Sequence, residues 1–138
     1  MPHPPIDVSL LERAITRLQE GLSRYKNNQQ DDQLRDGLIQ RFEFTYELSH
    51  KTLKRYLSNT AANPEAYHQM SFQDLIRSGN ECGLLLSDWP QWRQFREMRA
   101  KTSHTYDEGT ALDVVAGLAD FIKEVEYLYH QILDRIQA

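Results

Sequence analysis

Arg99, His104 and Tyr106 stand within eight residues of one another in the stretch RAKTSHTYDE, positions 99–108. Around them lie small, hydroxylated residues, in a chain otherwise rich in bulky apolar positions. An imidazole gains and loses a proton near neutral pH. A guanidinium is permanently charged and offers phosphate a planar fork. Together they fit cleavage of a phosphodiester by its own neighbouring 2′-hydroxyl, a reaction open to RNA. His104 would move the proton, Arg99 would hold the phosphate, and no metal is required. Arg93, Arg96 and Lys101 lie nearby, with Glu97 as the sole acid between Arg93 and His104. These cations extend a positive strip along which an RNA chain could run. A plain solvated helix face is the alternative.

Spacing alone is a weak signal. With 11 Arg and 5 His in 138 residues, about 0.4 Arg-x4-His pairs arise by chance. On a continuous α-helix, five residues rotate by roughly 140°. Arg99 and His104 therefore converge only where a helix loosens or ends. Thr102, Ser103 and Thr105 compete for backbone hydrogen bonds and favour such an ending, and Gly109 provides a break beyond it. His104 is expected in the last turn of a helix, with Arg99 one turn back.

The elements that must position these residues read as helices, and no segment alternates with period two. Val8, Leu11, Ile15, Leu18, Leu22 and Tyr25 recur at steps of three and four, and Ser9 with Glu12 gives a capping-box signature. A second helix is predicted from about Asp32 to Leu57, with Ile39, Phe42, Tyr46, Leu53 and Leu57 on one stripe. SNTAANPEAYHQM reads as a loop, because Pro64 bars a helix from continuing. A short helix follows from Ser71 to about Cys82. Asp88 as N-cap and Pro90 in the first turn start a fourth helix, with Trp92, Phe95 and Met98 inward. The fifth starts near Thr110 and carries Val115, Leu118, Ile122, Val125, Tyr129, Ile132 and Ile136. The expected fold is all-α: one domain over residues 1–138, an up-and-down helical bundle of four long helices plus a short one. Tyr127 and Leu128 lie partly outside the main stripe and point to a second buried surface, such as a homodimer interface.

Composition narrows the classes. Cys82 is the only cysteine, so an internal disulfide and a multi-cysteine zinc site are excluded, as fits a reducing cytoplasm. No metal site and no cofactor are expected. MPHPPID has neither the basic nor the apolar region of a signal peptide, and no apolar run is long enough to span a membrane. A net charge of −4 does not suit a basic DNA-binding domain.

FEFTYELSHKTLKRYL (42–57) followed by REMRAKTSHTYDE (96–108) resembles the HEPN superfamily. It is most similar to the small HEPN proteins encoded beside a minimal nucleotidyltransferase (MNT). The resemblance covers nearly the whole chain, and the two motifs together are far more specific than either alone. It implies an all-α bundle that forms a homodimer and brings both Arg–His motifs into one cleft, as in metal-independent ribonuclease toxins. On these positions Arg99 is the phosphate-binding cation and His104 the acid/base group. Tyr106 matches the tyrosine that the partner MNT antitoxin modifies with AMP, adding charge and bulk at the cleft mouth. Where the family most often has Asn after the arginine, this chain has Ala100. The same resemblance includes a second role, a non-catalytic substrate-binding subunit of a nucleotidyltransferase.

Of the remaining residues, Glu43, Glu47, Lys51 and Lys54 permit Glu–Lys pairs one turn apart. His50 reads as a core-edge histidine and Trp92 as a packing residue. Asp107 and Glu108 either favour the start of the last helix or hold His104.

Overall fold

The computed structural model describes residues 6–138, and His3 with the MPHPP start lies outside them. The described chain is an all-α bundle of seven helices: α1 (Ser9–Lys26), α2 (Asp32–Thr60), α3 (Glu65–His68), α4 (Phe72–Glu81), α5 (Trp89–Lys101), α6 (Glu108–Ala116) and α7 (Leu118–Gln137). A 3-10 turn, Thr102–His104, closes α5. The long α2 is the organising element and packs against every other helix.

Local chemistry explains most boundaries. The Asp31 carboxylate accepts from the Gln33 and Leu34 amides at 3.0 and 3.1 Å and starts α2. Ser71 does the same for α4 through the Asp74 amide, and Asp88 caps α5 through the Trp89 amide. The start of α1 departs from expectation. Ser9 is the first helical residue rather than a side-chain cap, and its amide donates to Asp7 at 2.8 Å. The segment after α2, expected as a loop, contains the single turn α3.

The last predicted helix is two helices. It begins earlier, at Glu108, because the Asp107 carboxylate accepts from the Gly109 amide at 3.0 Å. It breaks at Gly117, where a Cβ would lie 2.5 Å from the Met98 sulfur. A side chain at 117 would oblige the end of Met98 on α5 to move aside. Within α7 the buried face is wider than the predicted stripe: Phe121 and Leu128 are fully buried beside Leu118, Val125 and Ile132, whereas Ile136 is exposed. Leu128 therefore belongs to the core and marks no second surface.

The centre of the core is aromatic. Phe42, Trp92, Phe95 and Phe121 are all fully buried, with edge-on pairs at 4.9 Å (Phe42–Phe121) and 5.3 Å (Trp92–Phe95 and Phe95–Phe121). Burying each such side chain contributes roughly 1.5–3 kcal/mol. Three of the four sit on α2 and α5, so the core fixes these two helices side by side. Glu124 on α7 is also buried, and its carboxylate accepts from the Leu86 and Ser87 amides at 2.8 and 3.2 Å, just ahead of α5.

Candidate active site at the end of α5

Burial of Trp92 and Phe95 sets the rotation of α5, and Arg99, one turn beyond Phe95, faces α2. There the guanidinium meets two carboxylates one turn apart. Its Nη1 lies 3.5 Å from Glu43 Oε2, and its Nε lies 3.4 Å from Glu47 Oε1. Nη1 also donates to the Thr102 hydroxyl at 2.9 Å, and that hydroxyl donates to the Arg99 carbonyl at 2.6 Å. Thr102 thus ends the helix and steadies the arginine together. Nη1 is thus shared between Glu43 and Thr102, while the buried Nε faces Glu47 without a hydrogen bond.

Glu47 also reaches His50 Nε2 at 3.2 Å. The His50 ring lies edge-on to Tyr46 and Phe72, with centroids at 5.3 and 5.4 Å. Burial pushes the His50 pKa below its ordinary value, and the neighbouring Glu47 opposes that shift. Burial likewise pushes the Tyr46 hydroxyl up to about 12. His50 is a core-edge residue, as expected from its position.

His104 ends the 3-10 turn and is exposed. Its ring lies 6.1 Å from that of Tyr106, which is 88% exposed. No hydrogen bond or ion pair joins Arg99 to His104 among the described residues. Two helical steps of ~100° and three 3-10 steps of ~120° leave the two residues about 160° apart. The tightened turn ends the helix as expected, but it does not by itself put both side chains on one face. Asp107 and Glu108 serve α6 and not His104: Asp107 caps the helix, and Glu108 pairs with the buried Arg35 at 3.6 Å.

The flanking cations differ. Arg93 pairs with Glu97 at 3.4 Å, and the Arg96 guanidinium lies 5.6 Å from the Phe72 ring centre. Lys101 is exposed and has no ion pair among the described residues. Sequence reasoning expected Glu43 and Glu47 to favour Lys51 and Lys54; the structure gives both carboxylates to Arg99 instead. No local pattern carries that pairing, because more than fifty residues separate the partners. Among the described residues, no group of three His, Cys, Asp or Glu side chains is placed to hold a metal, and no helix is long and apolar enough to cross a membrane.

The bundle is that of a HEPN-like helical protein. The chain belongs to the family described as nucleotidyltransferase substrate binding protein like, whose model matches residues 6–134. A Haemophilus influenzae protein named "Probable ribonuclease HepT" is 42% identical over 106 residues, spanning 77% of this chain and 72% of that protein. A solved Haemophilus influenzae structure, described as revealing the fold of a substrate binding domain of a nucleotidyltransferase, superposes with a TM-score of 0.85 at 34% identity, over 91% of this chain and 98% of that one. A crystal structure from Thermus thermophilus superposes with a TM-score of 0.66 at 30% identity, over 93% and 99% of the two chains.

Proposed function

We propose that the chain is a ribonuclease toxin that acts as a homodimer and is silenced by a partner nucleotidyltransferase. The observation that carries this is the Arg99 fork, oriented by Glu43, Glu47 and Thr102 and one-third exposed, at the end of a helix that presents His104 to solvent. The name of the Haemophilus relative supports the same reaction class.

In this reading, Arg99 holds the scissile phosphate and the charge that grows on it. His104 moves the proton between the attacking 2′-hydroxyl and the leaving 5′-oxygen, so the products carry a 2′,3′-cyclic phosphate and a 5′-hydroxyl. Because one chain holds Arg99 and His104 on different faces, a second copy supplies the opposing half of the cleft. No step in this scheme calls for a metal or cofactor. Arg93, Arg96 and Lys101 contribute to RNA binding beside the site, with Lys101 the freest of the three. Tyr106, exposed beside His104, is accessible to a nucleotidyltransferase and ATP. Attack of its hydroxyl on the α-phosphate of ATP, with loss of the phenol proton and release of pyrophosphate, would place a phosphodiester charge and a purine at the cleft mouth.

Incubation of purified protein with total RNA in EDTA tests the reading. Cleavage is expected from the native chain and not from His104→Ala; equal cleavage by both would refute it. Co-expression with a partner nucleotidyltransferase is expected to add AMP masses to the peptide carrying Tyr106. Suppressed toxicity with that peptide unmodified would mean inhibition by binding alone.

A second reading, a non-catalytic binding subunit, is favoured by the family description, by Ala100 and by the carboxylates that already occupy part of Arg99. It predicts no growth arrest when the chain is expressed alone, where the toxin reading predicts arrest.

A further inference from the structure

Beyond Glu47, the outer face of α2 changes character. Residues 48–64 contain Lys51, Lys54 and Arg55 and no carboxylate. The acid best spaced to neutralise Lys51 is Glu47, and it is taken by Arg99 and His50. None of the three cations has an ion pair among the described residues. They line an open pocket of about 420 Å³ together with Ser58, Asn59, Pro64 and His68, and much of its wall is apolar side-chain surface. That volume is in the range of small-ligand sites, which run from about 300 to 1,000 Å³.

Charge elsewhere sharpens the contrast. Residues 108–138 hold six carboxylates against two cations, which accounts for the whole net charge of −4. All of these carboxylates except the buried Glu124 lie on the outside of α6 and α7, and this part of α2 is left locally positive.

We propose that this pocket is a phosphate subsite that receives the RNA strand on one side of the scissile bond. Three cations without ion pairs around a concavity match the charge of a phosphodiester, and their alkyl stems suit the sugar between phosphates. A protein–protein hot spot needs an aromatic or branched apolar anchor, and no such side chain lines this pocket. Position agrees as well. Lys54 and Ser58 lie seven and eleven residues beyond Glu47, or roughly 10–16 Å along the helix from the carboxylate that holds Arg99. A strand gripped there passes Arg99 within a few nucleotides. This assignment rests on the ribonuclease reading above, and it adds residues that spacing around Arg99 did not reveal.

Binding of a labelled twelve-nucleotide single-stranded RNA, followed by fluorescence anisotropy from 50 mM to 400 mM salt, tests it. The full chain carrying His104→Ala prevents cleavage and is compared with the same chain carrying also Lys51→Ala, Lys54→Ala and Arg55→Ala. The expected result is about 10- to 100-fold weaker binding near 0.1 M salt, with the log–log salt slope reduced by about 2. Equal affinity and slope in the two chains, with the native chain still cleaving RNA, would overturn the subsite and leave the active site standing. No RNA binding by either chain, and no cleavage by the native one, would remove both. Titration calorimetry with AMP and with inorganic phosphate separates free ligands from RNA. Binding of those that the triple substitution abolishes, with the RNA slope intact, would make the pocket a mononucleotide site and refute the proposal. So would loss of RNA binding that coincides with a smaller species on gel filtration, since the cations would then belong to a subunit contact.

Discussion

Replacing Arg99 with alanine should cost stability through Glu43, Glu47 and Thr102, and the size of the loss follows from their geometry. At 3.4 and 3.5 Å, a Coulomb sum with an effective dielectric near 20 would give about 5 kcal/mol per pair. The side chains are 32%, 35% and 41% exposed for Arg99, Glu43 and Glu47. Solvent screening at such exposure brings each pair to about 0.5 kcal/mol. The Nη1 bond to Thr102 adds about 1 kcal/mol. The expected loss is therefore about 2 kcal/mol, a fall in melting temperature of roughly 7 °C for a chain of this length. Thermal unfolding followed by circular dichroism measures it. In 1 M salt, where the screening length shrinks to about 3 Å, only the Thr102 share of about 1 kcal/mol should remain. The same residual cost should appear when Arg99→Ala is made in a chain already carrying Glu43→Gln and Glu47→Gln. A loss that is identical in both backgrounds and at both salt concentrations would refute the bridging role of the two carboxylates.

Three further outcomes are expected. His50 is held below its ordinary value of 6.5 by burial, so the unfolded chain takes up its proton first; the stability it contributes is complete above that value and drains as pH falls below it. Unfolding free energies between pH 7 and 5 should show a slope that His50→Gln reduces, and parallel curves would argue against a buried neutral imidazole. Glu124→Ala removes the acceptor of two amide hydrogen bonds and should cost about 3 kcal/mol in denaturant titration. Glu124→Gln keeps the volume and one acceptor oxygen and should lose less than half as much; equal losses would mean that the carboxylate charge, and neither volume nor a neutral acceptor, holds the two amides. Gly83 has φ +77° and would place a Cβ 3.0 Å from Arg135 Nη2, the group that donates to the Cys82 carbonyl at 2.7 Å. Gly83→Ala should cost about 1–2 kcal/mol by the same titration, and an unchanged midpoint would contradict the left-handed turn.

What was legible in the sequence was local. Ser71, Asp88 and Pro90 act on backbone within three residues, and each starts its helix as its type dictates. The stripe of Trp92 and Phe95 was equally plain, as was the ending of α5 among hydroxylated residues. The errors came where a distant partner decides. Gly117 falls inside the stretch predicted as one helix, and the residue packed against it, Met98, lies on α5. Leu128 lies beside the stripe of Leu118, Ile122 and Val125, and the width of the buried face of α7 depends on the helices packed around it. The candidate site divides in the same way. Arg99, His104 and Tyr106 stood out by type and by motif. The identity of the residues steadying Arg99 depended on how α2 and α5 lie against each other, and the shared aromatic core fixes that.

The grip of Glu124 on the backbone before α5 also sets an order in time. A chain growing from its N-terminus completes Arg99 and His104 well before residue 124 is joined. Until α7 arrives, the Leu86 and Ser87 amides lack their acceptor, and Phe95 lacks the Phe121 face it packs against. The helix that carries Arg99 takes its final place late in synthesis, so a truncated product contains every residue of the candidate site without the frame that aims them.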